Sequence, residues 1–170
     1  MRGIVFDADH TLIDFNADAV NAYERLCARC GARADGTGFL AAAYRKWEEH
    51  GLHRVDTERV LRGFHEIYRE YVADLFSLAS QEEPALSGRE GEYIGLLSEE
   101  GKPLGASLET VARLSERYPS FVATNGLSAM QRGRLRAFAP YVRELFISEE
   151  LGCIKPDAAF FSAMIARTGI

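Results

Sequence analysis

Two carboxylates two residues apart, Asp7 and Asp9, follow directly on the apolar run Ile4-Val5-Phe6. A carboxylate can attack phosphorus and carry the phosphoryl group as an acyl-phosphate, which splits one hard displacement into two easier ones. A second carboxyl two residues on can protonate the leaving oxygen and later take a proton from water. Further along, Thr124-Asn125-Gly126 offers a hydroxyl and an amide, and Lys155-Pro156-Asp157 offers an ammonium. Fixed positive charge and hydrogen-bond donors of this kind steady phosphoryl oxygens. Neighbouring carboxylates repel each other and a dianionic ester. A hard cation that prefers oxygen ligands, such as Mg²⁺, would resolve the conflict.

These segments converge only if the elements before them bring them to one edge. Arg2-Gly3-Ile4-Val5-Phe6 is apolar, β-branched and aromatic, and reads as a buried strand. Ser120-Phe121-Val122-Ala123 reads as a second buried strand, and Glu144-Leu145-Phe146-Ile147-Ser148 as a third. Helical patterns lie between and after them. Ser107 is placed to cap a helix carrying Leu108, Val111, Ala112 and Leu114, which Tyr118-Pro119 stops. Another helix is expected over residues 128–138, halted before Pro140. Lys155-Pro156-Asp157 opens a last helix, with Pro156 suited to its first position and Gly169 to its C-terminal stop. Strands alternating with helices favour an α/β fold with a parallel sheet. Ligands of such sheets bind beyond the carboxyl ends of the strands, where all three candidate segments fall.

A helical block interrupts this alternation after the first strand. Helices are expected over 17–30, 39–49, 57–76 and 90–97, separated by breaks at residues 31–36, at Gly51 and at Glu83-Pro84. Val60, Phe64, Ile67, Tyr71 and Leu75 recur every three or four residues and form one apolar stripe. Residues 16–101 are too long for a loop and read as an inserted all-helical domain, with residues 1–15 and 102–170 forming the α/β part.

The strand followed by DADHT, the ATNG segment and the KPD segment resemble the haloacid dehalogenase (HAD) superfamily, whose fold is a Rossmann-like, doubly wound parallel sheet. Asp7, Asp9 and Thr11 fit its first motif, Thr124 its second and Lys155 its third. The resemblance implies Asp7 as nucleophile and Asp9 as acid/base, with Thr124 and Lys155 completing the catalytic set. It also implies Mg²⁺ held by the Asp7 carboxylate and the Asp9 main-chain carbonyl, and a phosphate-binding role for Thr11, Asn125 and Gly126. The inserted block is similar to the family's helical cap, which closes over the substrate and selects it. Haloacid dehalogenases proper lack the second Asp, so Asp9 argues for phosphatase chemistry. Residues 124–127 and 147–156 resemble the branch of bacterial pyrimidine nucleoside 5′-monophosphatases, which implies a small nucleotide as substrate.

The family also has a fourth motif, acidic residues after a further strand, which completes the magnesium shell. After Lys155 the only acid is Asp157, within the opening turn of the last helix, and the α/β part is expected to be truncated at its C-terminal side. The family's sheet order then leaves the first strand as an apolar edge. Two expectations stand side by side: a magnesium-dependent phosphomonoester hydrolase, or a shortened, catalytically inactive homologue that binds phosphoesters or a partner.

Bulk properties set the remaining bounds. In 170 residues, 47% are hydrophobic and the net charge is −5, which suits a packed core and not a nucleic-acid polymer or anionic membrane as partner. The chain has no run of the roughly 18 apolar residues that mark a spanning helix, and the early acids Asp7 and Asp9 do not suit a signal peptide, so a cytoplasmic protein is expected. Cys27 and Cys30 form a lone C-x-x-C pair inside a helix, which reads as packing. His10 could line the site or face solvent. His50, His53 and His65 lack metal-ligand spacing, and Trp47 reads as packing more readily than as a base-stacking platform.

Overall fold

A computed structural model describes residues 3–170; Arg2, the first residue of the expected strand, lies outside them. The chain divides into two compact units. One comprises the N-terminal segment through Phe15 together with Gly101–Ile170, and the other Asn16–Glu100.

The first unit is built on a parallel sheet of β1 (Ile4–Phe6), β2 (Ser120–Thr124) and β3 (Glu144–Ile147), in the order β1-β2-β3. Val5 lies opposite Phe121, Val122 opposite Leu145 and Thr124 opposite Ile147. Because all three run the same way, the residues after Phe6, Thr124 and Ile147 emerge at one edge. Every residue of β2 is buried, as a central strand covered on both faces requires. Side-chain alternation sends Val122 to one face, with Ala8, Leu12, Ile13, Val111, Leu135 and Phe138. Phe121 and Ala123 point to the other face, against Phe146, Phe160 and Met164. The sheet is thus doubly wound. β1 is not the buried strand its composition suggests but the apolar edge expected from the resemblance: among the described residues it is the sheet edge, and Val5 is 37% exposed.

Three local expectations are corrected. In α5 (Ser107–Ser115), Ser107 is the first helical residue and not the cap; its hydroxyl donates to the Leu12 carbonyl at 2.7 Å, which ties the helix to the loop after β1. The regular part of α6 (Ser128–Arg134) ends before Phe138, because the chain tightens into short turns such as Phe138 N–H to Leu135 O at 2.9 Å. After α6, α7 (Ser148–Leu151) follows β3 directly. The last helix, α8 (Ala158–Thr168), starts beyond Pro156. Asp157 is its cap, accepting from Ala159 N–H at 2.9 Å, and the Lys155–Pro156 peptide is cis. Gly169, at φ 69°, closes α8 by donating to Ile165 O at 2.8 Å.

The second unit packs α1 (Phe15–Cys30, entering from the first unit), α2 (Gly36–Glu49), α3 (Glu58–Glu82) and α4 (Glu90–Glu99). α3 runs six residues past Phe76, since nothing breaks the helical pattern before Pro84. Its stripe Val60, Phe64, Ile67, Tyr71 and Leu75 is buried throughout. Tyr23 and Phe39 stack at 4.0 Å and 9°, with Phe76 and Tyr93 packed on Phe39 edge-on. Trp47 meets Phe64, Tyr68 and Tyr71 edge-on, so its indole is used in packing. His50 pairs with Asp74 at 3.1 Å. Cys27 is buried, the Cys30 thiol donates to Leu26 O at 3.1 Å, and both are free thiols. Among the described residues, no helix is long and apolar enough to cross a membrane.

Candidate active site

The loop after β1 is a tight wrap around one carbonyl. Thr11, Leu12 and Ile13 N–H all donate to Ala8 O, at 3.2, 2.8 and 3.1 Å, and His10 N–H donates to Ile13 O at 2.9 Å. His10 takes φ 60° to complete the turn and remains exposed. Ala8 is fully buried, while Asp7 on one side is exposed and Asp9 on the other is half-buried. The small middle residue therefore anchors the loop in the core and leaves both carboxylates at the carboxyl edge of the sheet. Thr11 is exposed on the same loop.

Lys155 reaches this edge from the segment before α8. Its Nζ lies 2.5 Å from Asp7 Oδ1 and also donates to Ala123 O at 2.7 Å. Asn125, just past β2, holds the Lys155 main chain: its Nδ2 donates to Lys155 O at 2.9 Å and its Oδ1 accepts from Lys155 N–H at 2.8 Å. Thr124 is buried at the end of β2. Gly126 directs its N–H to Ser148 Oγ at 3.0 Å, which links the ends of β2 and β3. Asp7, Lys155, Thr124 and Asn125 thus stand together at the strand ends, with Gly126 turning the chain behind them.

Asp9 has two partners that strand-end reasoning missed. Gln131 Nε2 donates to Asp9 Oδ2 at 2.8 Å, to Thr124 Oγ1 at 2.9 Å and to Asn125 O at 3.2 Å. Arg134 Nη1 lies 2.6 Å from Asp9 Oδ1 and 3.2 Å from Gln131 Oε1. Both side chains are fully buried. A signal for them exists in the sequence: Leu127, Met130, Leu135 and Phe138 define the apolar stripe of this helical turn, and Gln131 and Arg134 fall inside it. A charge on a core-facing stripe requires a buried partner.

Next to the site, Glu149 Oε2 accepts from Ser128 N–H at 2.7 Å, and Glu150 receives two bonds from Arg132, each 2.7 Å. The Arg132 guanidinium, helped by the Ser128 hydroxyl, holds the Glu150 carboxyl below the usual carboxylate range. These contacts pin α7 to the start of α6.

The oxygens suited to a hard cation are those of the Asp7 carboxylate and the Asp9 main-chain carbonyl. Among the described residues no cluster of three or more His, Cys, Asp or Glu side chains could hold a metal. Two protein oxygens still fit Mg²⁺ in kind, because that ion commonly binds one or two carboxylates and keeps water and substrate phosphate as its other ligands.

A parallel α/β sheet with carboxylates, a hydroxyl and a lysine at its carboxyl edge defines a hydrolase-type site. The chain belongs to the haloacid dehalogenase-like hydrolase family, whose model it matches over residues 1–170. It is 31% identical over 164 residues to the pyrimidine 5′-nucleotidase PynA of Streptococcus pneumoniae (strain ATCC BAA-255 / R6), which covers 93% of this chain and 66% of that protein. The chain therefore spans just under two thirds of the length of that relative. It is 26% identical over 168 residues to the HAD-hydrolase YfnB of Bacillus subtilis (strain 168), covering 98% of this chain and 69% of that one. The magnesium-bound crystal structure of YfnB superposes with a TM-score of 0.76, at 22% identity over 98% of this chain and 72% of that one. The defluorinating L-2-haloacid dehalogenase Rha0230 superposes with a TM-score of 0.78, at 16% identity over the whole of this chain and 69% of that one, a likeness of fold alone.

Proposed function

We propose that this chain carries the phosphoryl-transfer site of a magnesium-dependent phosphomonoester hydrolase, acting through an aspartyl-phosphate on Asp7. The observation that supports it best is the Asp7–Lys155 pair, 2.5 Å apart at the strand ends, with the lysine backed by Ala123 O. An oxygen of Asp7 attacks phosphorus as the ester oxygen leaves, and the Asp9 carboxyl gives its proton to that oxygen. Asp9 then takes a proton from water, the water oxygen attacks phosphorus, and the Asp7 carboxylate is released with inorganic phosphate. The Lys155 ammonium and the Thr124 hydroxyl steady the phosphoryl oxygens, and the exposed Thr11 lies on the loop that would face them. Asn125 and Gly126 shape the phosphate-binding turn. The Asp7 carboxylate and the Asp9 carbonyl would hold Mg²⁺, which when bound supplies positive charge between the carboxylates and the phosphoryl oxygens.

The substrate class is the nucleoside 5′-monophosphates, small cytoplasmic esters. Support comes from the likeness to a pyrimidine 5′-nucleotidase. The helical unit is assigned as the cap that selects among them. A panel of phosphoesters tests this directly. Nucleoside 5′-monophosphates should be turned over best and only with Mg²⁺ present. Sugar phosphates turned over far better than every nucleotide would overturn the substrate class. Full activity after complete chelation would overturn the metal requirement.

A further inference from the structure

We infer that Gln131 and Arg134 are positioning residues for the acid/base step: together they grip both oxygens of Asp9 and set the carboxyl where it meets the leaving oxygen. This rests on the assignment of Asp9 as acid/base. Each Asp9 oxygen has its own buried donor, Arg134 on Oδ1 at 2.6 Å and Gln131 on Oδ2 at 2.8 Å. A carboxylate held at one oxygen can swing about that bond. Held at both, from two residues three apart on one helix, its plane is fixed.

The grip is itself anchored. The guanidinium of Arg134 lies 5.0 Å over the Phe15 ring, and Arg134 Nη1 also meets Gln131 Oε1. Behind it, the main chain of Gly101 passes so close that a Cβ there would sit 2.0 Å from Arg134 O. Gln131 extends the connection sideways, since the same Nε2 that holds Asp9 also donates to Thr124 Oγ1 and Asn125 O. The acid/base carboxylate and the hydroxyl assigned to the phosphoryl oxygens are therefore held by one amide. A buried arginine is costly unless paired, and this one is paired with a carboxylate that solvent partly reaches, its side chain 27% exposed.

The leaving group distinguishes this role from a merely structural one. An alkyl phosphomonoester needs protonation of its departing oxygen, whereas a nitrophenyl phosphomonoester departs without it. In the full-length protein, Arg134→Met should lower kcat/KM, which reports the phosphorylation half-reaction, on the order of 10- to 100-fold for an alkyl ester and much less for the nitrophenyl ester. In an Asp9→Asn background the same substitution should cost nothing further, because its effect passes through Asp9. Equal losses of kcat/KM on both esters, or losses that add to those of Asp9→Asn, would overturn the positioning role. If Arg134→Met does not melt cooperatively, Arg134→Gln, which removes the charge and shortens the reach to Asp9 while leaving Gln131 on Thr124, gives the same readout. Equal loss of kcat/KM on both esters in Asp9→Asn alone would instead overturn the acid/base assignment on which the inference rests.

Discussion

The side-chain amide of Asn125 closes a ring with the main chain of Lys155, donating to its carbonyl at 2.9 Å and accepting from its N–H at 2.8 Å. The lysine that meets Asp7 is therefore aimed by a residue from a different strand end, 30 positions earlier in the chain. Asn125→Leu removes both bonds while keeping the number and branching of the side-chain heavy atoms. Stability should fall by about 1–3 kcal/mol, as two part-buried backbone groups lose their partners. If Lys155 steadies the phosphoryl oxygens as proposed, turnover should fall on the order of 100-fold, because its ammonium is displaced. Urea denaturation and steady-state kinetics on the same preparation check the two effects.

Gly101 combines a φ of 116° with a close approach to another main chain: a Cβ at this position would lie 2.0 Å from Arg134 O. Gly101→Ala must therefore move the backbone that carries Arg134. A loss of roughly 3–5 kcal/mol is expected, in the range that marks a forbidden backbone contact. Gly91, where a Cβ would meet nothing, is the internal control. Chemical denaturation of Gly101→Ala beside Gly91→Ala reads the difference.

Much of the site is visible in the sequence because its residues directly follow apolar runs. Asp7 after Phe6, Thr124 at the end of an all-buried strand and Lys155 before a capped helix all carry that local signature. Gln131 and Arg134 follow no such run: their trace is only that they fall inside the apolar stripe of Leu127, Met130, Leu135 and Phe138, and tertiary packing supplies the partner, Asp9. Ser107 shows the same limit in the other direction. Its type suits a cap, yet a carbonyl 95 positions earlier, that of Leu12, takes its hydroxyl. Pro156 suits a first helical turn, but Asp157 beside it supplies the better cap, so the helix begins later. β1 reads as a buried strand from its apolar side chains alone; its place at the sheet edge follows from which strands flank it, which the family's sheet order supplied and a run of three residues does not encode.

Burial pushes the hydroxyls of Tyr23 and Tyr71 above the usual tyrosine range, with a hydrogen bond to Cys27 adding to the effect at Tyr23. The folded chain thus keeps these protons to higher pH than the unfolded chain. Stability from this source is complete below the ordinary tyrosine value of about 10 and is lost as pH rises above it, by up to about 1.4 kcal/mol per pH unit for each tyrosine. Urea midpoints measured from pH 8 to 11.5, about 2 units below to 1.5 above that value, should stay level and then fall. Tyr71→Phe should make the alkaline fall shallower.

The central claim is that Asp7 carries the phosphoryl group. The most direct test is the turnover of Asp7→Asn on a nucleoside 5′-monophosphate with Mg²⁺ present, set beside the unaltered full-length protein. An amide oxygen at this position is a far poorer nucleophile, and binding elsewhere in the site does not compensate. The expected result is a loss of at least about a thousandfold in kcat, with the variant folded and no acid-stable acyl-phosphate on the protein. A folded Asp7→Asn variant that keeps more than about a tenth of the parent's kcat would contradict the account.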